Sequence, residues 1–463
     1  GIDVAAELKD VRLPITSHLK MTGGTFALKL DMKGMKAHGA VQVNTAPMGF
    51  TWTEDFTGSS KTSTRLDVTA TLNEEHRARL GLDLRPYVEG KTPVVAVFTG
   101  NGGKIQNAKV DANLTPARLS SPELNWAKPE DAKASMKADV TFRPDGSIDI
   151  TNMDAAGQGL KAQGRLVVAG GRIREADFKR LVLGERNDFA IRRKIAADGG
   201  ETIEVKGRVI DAGGFLDKED PDAKPKPEER KHPLAIKADL DLAYLQGDVW
   251  FTGVTYTYAD DGQRLTQFKV DASADAANVR GEMITAPDNS RKLRLQTADA
   301  GRFVRALTGF RSLIGGELAL NVDLSPLPAQ GHASSKAVST FDGTLKIENF
   351  KIVDQPFFAR LLSAGSFTGL DDLLRGEGIT FTKLEQAFQG RGDMITLTEG
   401  RAAGPAIGLT TQGLVNRATD RLDLNGTIVP LYGLNSMFED IPLLGDILNS
   451  RKGEGIFGVT YGV

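Results

Sequence analysis

Leu234, Ile236, Ala238, Leu240 and Leu242 alternate with Lys237, Asp239 and Asp241. This is the period-two pattern that sends successive side chains to opposite faces of a strand, one oily and one wet. It returns at Phe26-Leu28-Leu30, Leu66-Val68-Ala70-Leu72, Ile148-Ile150, Ile203-Val205, Leu318-Leu320-Val322-Leu324, Leu345-Ile347 and Leu422-Leu424. Between these segments stand Asn101-Gly102, Asp145-Gly146, Asp198-Gly199-Gly200 and Asp261-Gly262, where glycine supplies the positive φ of tight hairpins. Hairpin after hairpin is expected, with roughly 25 to 30 strands each adding about 4.8 Å across a sheet. A continuous sheet of ~100 Å cannot stay flat, because neighbouring strands rotate by about 20 to 25°. The fold predicted is therefore mainly β: a long, twisted antiparallel sheet that coils, folds over or closes.

Helical segments are few and short. Asn73 to Leu80 has an Asn cap and an acidic first turn, as a helix start requires; Asp299 to Leu307 and Pro356 to Ala364 are of similar length. Helices of two or three turns cannot cover some 25 strands. The oily face either closes on itself as a core or is left to hold something else that is oily.

The run 216–233 is rich in proline and charge, and reads as a linker or a long exposed loop. It separates an N-terminal β region, 1–215, from a C-terminal β region with short helices, 234–463. Both readings stand: a true domain boundary, or a loop between neighbouring strands of one sheet.

Composition narrows the function. Over 463 residues, 58 Lys and Arg face 60 Asp and Glu, a net charge of -2, which provides no field for gathering nucleic acid. There is no cysteine, so neither disulfides nor thiolate metal sites form, and an oxidising compartment is tolerated. No apolar run reaches the ~18 residues of a membrane-spanning helix. The chain opens on Gly1 and reads at once as strand and turn, which implies that any targeting or anchoring segment was removed.

Catalytic chemistry finds little support. His18, His38, His76, His232 and His332 lie outside metal-ligand spacing of one another. The acidic neighbours Asp371-Asp372 and Glu439-Asp440 resemble solvated turn residues more than a working carboxylate pair. The 51 glycines occupy no phosphate-binding pattern and read as turns and bulges. No catalytic residue, metal or cofactor is expected.

The last third carries linked motifs in a fixed order: Gly343 to Phe350, Ala359 to Gly369, Gly376 to Phe381, and Pro430 to Tyr461. Over about 298–463 this succession resembles the C-terminal region of the YhdP-like branch of the AsmA-like superfamily. More loosely, Pro86 to Pro93 and Val205 to Asp211 are similar to the middle repeats of that branch. The resemblance implies an inner-membrane helix ahead of Gly1, a further strand and apolar tail after Val463, and a periplasmic β structure shaped as an open hydrophobic groove. It implies a non-enzymatic, bridge-like transfer of phospholipid between inner and outer membrane of a Gram-negative cell.

The expected partners are thus phospholipid acyl chains and, through segments outside this chain, both membranes. The groove-lining candidates are Leu234, Ile236, Leu240, Leu242, Leu318, Leu320, Val322, Leu345, Ile347, Leu422 and Leu424. Leu434, Met437, Phe438, Ile441 and Leu444 recur at helical spacing interrupted by Pro442, and either gate one end of the groove or cap a core. Two rival functions remain: an envelope scaffold or outer-membrane protein assembly factor pairing client strands with sheet edges, and a polysaccharide-acting enzyme using paired carboxylates.

Overall fold

The computed structural model describes residues 3–16, 19–216, 232–275, 277–326, 340–354, 378–405, 407–419, 421–430 and 459–462. The chain is mainly β and divides into two compact units, Gly1–Phe215 with Ala235–Asp241, and Leu216–Leu234 with Leu242–Val463. The division falls at strand Leu234–Tyr244, most of which stands with the first unit. Residues 217–231 of the charged run lie outside the described residues.

In the first unit the strands from Asp3–Lys9 to Glu201–Asp211 join through antiparallel hairpins. The glycines expected in turns sit there, with Gly102, Gly146 and Gly199 at φ 59, 81 and 90°. Register carries the alternation across strands. Ala6, Leu28, Ala37, Trp52, Leu66, Phe98, Ala108, Val140, Ile150, Leu166 and Ala176 stand side by side as one uncharged row. One residue along each strand, Lys29, Lys36, Thr53, Arg65, Thr99, Asn107 and Thr141 form the opposite, wet face.

One end of the apolar face is covered. A small sheet of Val88–Gly90, Ala117–Ser121 and Trp126–Lys128 brings Leu114, Ala117 and Leu119 onto Ala112, Ala134, Ala155, Leu160 and Leu183. Beside it lies helix α1, Glu74–Arg79, whose cap Asn73 accepts the His76 N–H at 2.8 Å. Arg77 donates from this helix to the carbonyls of Leu72, Val88 and Gly90. Lys128, 2% exposed, donates to the carbonyls of Thr115, Pro129 and Ala132. These cations are buried without a carboxylate partner, and backbone oxygens offset their desolvation.

The second unit repeats the plan from Trp250–Asp260 to Arg421–Pro430, again antiparallel. Its Asp261-Gly262 pair forms the expected turn, Gly262 at φ 91°. Helix α2, Ala300–Thr308, starts on an Asp299 carboxylate that accepts the Arg302 N–H at 2.9 Å and ends on Gly309 at φ 72°. It packs Ala300, Phe303, Val304 and Ala306 onto Leu295, Leu313, Leu318, Ile347 and Phe350 on one side and Val249, Phe251, Ala272 and Val279 on the other. Arg302 pins it, 2.7 Å from Asp275 and over the Trp250 ring at 4.6 Å. Among the described residues α1 and α2 are the α-helices; the expected helix at Pro356 to Ala364 lies outside them. No pairing among the described strands closes either unit into a barrel.

Candidate functional site: an apolar sheet face covered at one end

In the second unit the register aligns Met283, Leu293, Val322, Gly343, Phe388, Leu397, Gly413 and Leu424 on successive strands. A second row beside it runs Leu324, Phe341, Gly390, Ile395, Val415 and Leu422. Between Met283 and Leu424, and between Leu324 and Leu422, neither row contains a charged side chain; Arg291, in register with Leu324, continues the second row. Met283, Leu293, Val322, Phe341, Phe388, Ile395, Leu397, Val415 and Leu424 are all half-buried, and Leu422 is 56% exposed. No described element lies over them. The opposite face at this level carries Lys292, Asp323, Asp342, Gln389, Thr396, the exposed Leu414 and Asp423. Water-facing polarity on one side and unpaired apolar area on the other are properties of the same strands.

Nearer α2 the face becomes ordinary core. Leu318, Ile347 and Phe350 are buried, and Phe350 stacks on Phe381 at 5.1 Å. At the far edge Arg291, 1% exposed, donates to the carbonyls of Leu265 and Ser325, and burial holds its guanidinium below its ordinary pKa. In register with Leu324, it ends the second row with a buried cation held by backbone carbonyls.

The structure thus brings Leu318, Leu320, Val322, Leu345, Ile347, Leu422 and Leu424 onto one face. Leu318 and Ile347 belong to its covered core, Leu320 and Leu345 to the margin of that core, and Val322, Leu422 and Leu424 to the uncovered rows. In Leu234–Tyr244, Leu240 is buried, Leu234, Ile236 and Leu242 are half-buried, and Lys237, Asp239 and Asp241 are exposed. Leu434, Met437, Phe438, Ile441 and Leu444 lie outside the described residues, as do Ala359 to Gly369 and most of the motif from Pro430 to Tyr461. Sequence reasoning missed Leu293, Phe341, Phe388, Ile395 and Leu397, although the repeated Phe-x-Gly of Phe341-Asp342-Gly343 and Phe388-Gln389-Gly390 was there to be read.

The first unit offers a comparable surface away from its small sheet. Phe26 and Phe50 meet edge to face at 5.5 Å, and Trp52, Leu66 and Phe98 are half-buried, with the smaller Ala37, Ala96 and Ala108 buried between their neighbours. Glu54 stands at the edge of this face, buried, accepting from Thr64 Oγ1 at 2.9 Å, Ser63 Oγ at 3.0 Å, Gly103 N at 3.2 Å and Trp52 Nε1 at 3.3 Å. Burial pushes its carboxyl up, but these donors together outweigh it and hold the group below the usual carboxylate range. It ties turn to turn, with three of the four donors on Oε1 and the Trp52 indole on Oε2. A hollow of about 1000 Å³ in the same unit is lined by Asp10, Arg12, Thr69 and Asp111 together with the apolar Met48 and Val95.

Among the described residues no three His, Asp or Glu side chains gather as they would around a metal ion, and no helix is long and apolar enough to cross a membrane. The fold and the site define a mainly β protein whose sheets carry an apolar face that, among the described residues, is covered only in part. No protein-family model, no curated protein and no solved structure matches the chain.

Proposed function

We propose that this chain is a non-enzymatic lipid carrier whose apolar sheet faces, where no described element covers them, hold phospholipid acyl chains while the headgroups stay in water. The observation that carries this is the uncharged, half-buried row from Met283 to Leu424, over which no described element lies. Each methylene of an acyl chain moved from water onto such a surface gains up to about 0.8 kcal/mol. Because neighbouring strands present near-equivalent apolar positions, a chain can shift along the row at small net cost, so movement needs neither a catalytic group nor a cofactor. The ordered motifs from Gly343 to Tyr461, which resemble the YhdP-like branch of AsmA-like proteins, support a setting in the Gram-negative periplasm. There the carrier, anchored in the inner membrane, serves phospholipid traffic between inner and outer membrane.

The test is mass spectrometry of organic extracts from the purified, folded chain. Phospholipid in near-stoichiometric amount is expected. Protein with an intact β spectrum and no lipid after purification without detergent would remove the carrier function.

A further inference from the structure

Four residues along from Lys36, Thr53, Arg65, Thr99 and Asn107, and therefore on the same wet face of the first unit, register sets Ala40, Gly49, Thr69, Val95 and Asp111 side by side. These five line the hollow of about 1000 Å³, with Gln42, Pro47, Thr71 and Pro93 two residues further on. In place of Lys36 and Thr53 the same strands here carry alanine and glycine, so the floor drops. Gly49 has no positive φ, and its backbone does not call for glycine; a Cβ there would come to 2.9 Å from Thr69 Oγ1. The rim is built by the bend after strand Asp3–Lys9, where Asp10 takes φ 48° and the Val11 N–H donates to the Gly24 carbonyl at 3.2 Å. That bend brings Asp10 and Arg12 to the hollow.

The ligand class follows from what the lining offers. Its charges are already answered, Arg12 standing 3.4 Å from Asp10 and Asp111 3.3 Å from Lys137, so neither an anion nor a cation gains a free counter-charge. The five strands beneath pair with one another, so they present no open edge of the kind that adds an extended peptide. What they do present are the Thr69 and Thr71 hydroxyls and the Gln42 amide, which both donate and accept. These surround the Pro47 and Pro93 rings and Val95, 52% exposed. A sugar carries the complement, hydroxyls at its edge and C–H groups on its ring faces. From Ala40 to Asp111 the floor crosses roughly 19 Å at about 4.8 Å per strand, longer than one sugar ring and suited to a short chain of them.

We propose that this hollow binds an uncharged oligosaccharide, on the face opposite the acyl chains and independently of them. The purified chain is applied to a glycan array bearing neutral and anionic oligosaccharides, and affinity for the neutral sugar captured best is measured by titration calorimetry. Capture of neutral members in preference to sulphated or uronic-acid ones is expected. Ala40→Leu, at an exposed strand position, fills the floor and is expected to weaken binding about tenfold with the fold intact. Arg12→Ala removes charged donors from the rim and is expected to cost about tenfold as well. Lys36→Ala, on the same strand and face but outside the hollow, is expected to keep affinity within about twofold.

No capture of any neutral sugar, preference for the anionic ones, or folded Ala40→Leu protein that binds like the wild type overturns the proposal. So does an uncharged hexapeptide that displaces the captured sugar at equal concentration. Should Ala40→Leu fail to fold, Arg12→Ala, at a side chain 71% exposed, carries the comparison, and unchanged affinity overturns the proposal. The lipid content of organic extracts tests the carrier function separately, so each reading can fail alone.

Discussion

Val322→Asp and Leu318→Asp place the same carboxylate on one strand and one face, four residues apart, and the structure gives them opposite outcomes. Leu318 is 6% exposed beneath the α2 cluster. Removing it forfeits about 2 to 5 kcal/mol of burial and cavity energy, and the carboxylate must be desolvated or neutralised at a cost of several kcal/mol more. Against a total stability of about 5 to 15 kcal/mol, that unfolds the unit. Val322 is half-buried, so its loss forfeits about 1 kcal/mol of apolar burial, plus up to about 1 kcal/mol for aspartate in a strand. Its carboxylate reaches water. A deficit of about 2 kcal/mol lowers the melting temperature by about 4 to 8 °C in a unit of this size. Circular dichroism melting and binding of a fluorophore-tagged palmitoyl probe should therefore show Leu318→Asp unfolded, and Val322→Asp folded but unable to bind. If both variants unfold alike, the row through Val322 is ordinary core. If Val322→Asp folds and binds normally, acyl chains lie elsewhere.

Lys128→Ala strands the carbonyls of Thr115, Pro129 and Ala132 and should cost about 2 to 3 kcal/mol in chemical denaturation; an unchanged midpoint would show these carbonyls to be satisfied otherwise. Glu54→Gln loses a carboxylate held by four donors and should cost about 1 to 3 kcal/mol at neutral pH. Because the folded-state pKa of Glu54 is lowered, its contribution is present above the unfolded pKa and lost as pH falls through the folded one. The wild-type advantage should fade in acid melts, and a gap that persists under full protonation would refute the assignment. The Tyr258 hydroxyl is pushed up to about 12 from 10.0 by burial and by Asp260. Its stabilisation is complete below the unfolded value and lost as pH rises from 10.0 to about 12. Ultraviolet titration of wild type against Tyr258→Phe should reveal one tyrosine ionising at that high pH, and an ordinary midpoint would contradict it.

Much of the fold was legible because its signals are local. Alternation in Leu318-Leu320-Val322-Leu324, glycine in the turn at Asp145-Gly146, and the caps Asn73 and Asp299 each specify a neighbourhood of a few residues. Cover is not local. Leu318 and Val322 are equivalent in the alternation, and among the described residues the landing place of α2 buries the first and leaves the second half-buried. The small sheet over the first unit was not anticipated, because strands as short as Val88–Gly90 and Trp126–Lys128 carry almost no periodicity. Arg77, Lys128 and Arg291 read as surface cations; their partners are backbone carbonyls, which leave no mark in a sequence. Phe341 and Phe388 were visible as a repeated Phe-x-Gly, but their place on the apolar rows depends on the register between two strands 47 residues apart, the spacing of Phe341 from Phe388.

The central claim, that one face of these sheets holds lipid, is tested most directly by photo-crosslinking in cells at neighbouring positions that point to opposite faces. A crosslinker at Leu293, Val322 or Leu424 should capture phospholipid, and one at Lys292, Asp323 or Asp423, each a single residue away on the same strand, should not. Capture at all six positions alike, or at none with the protein folded, would contradict the account.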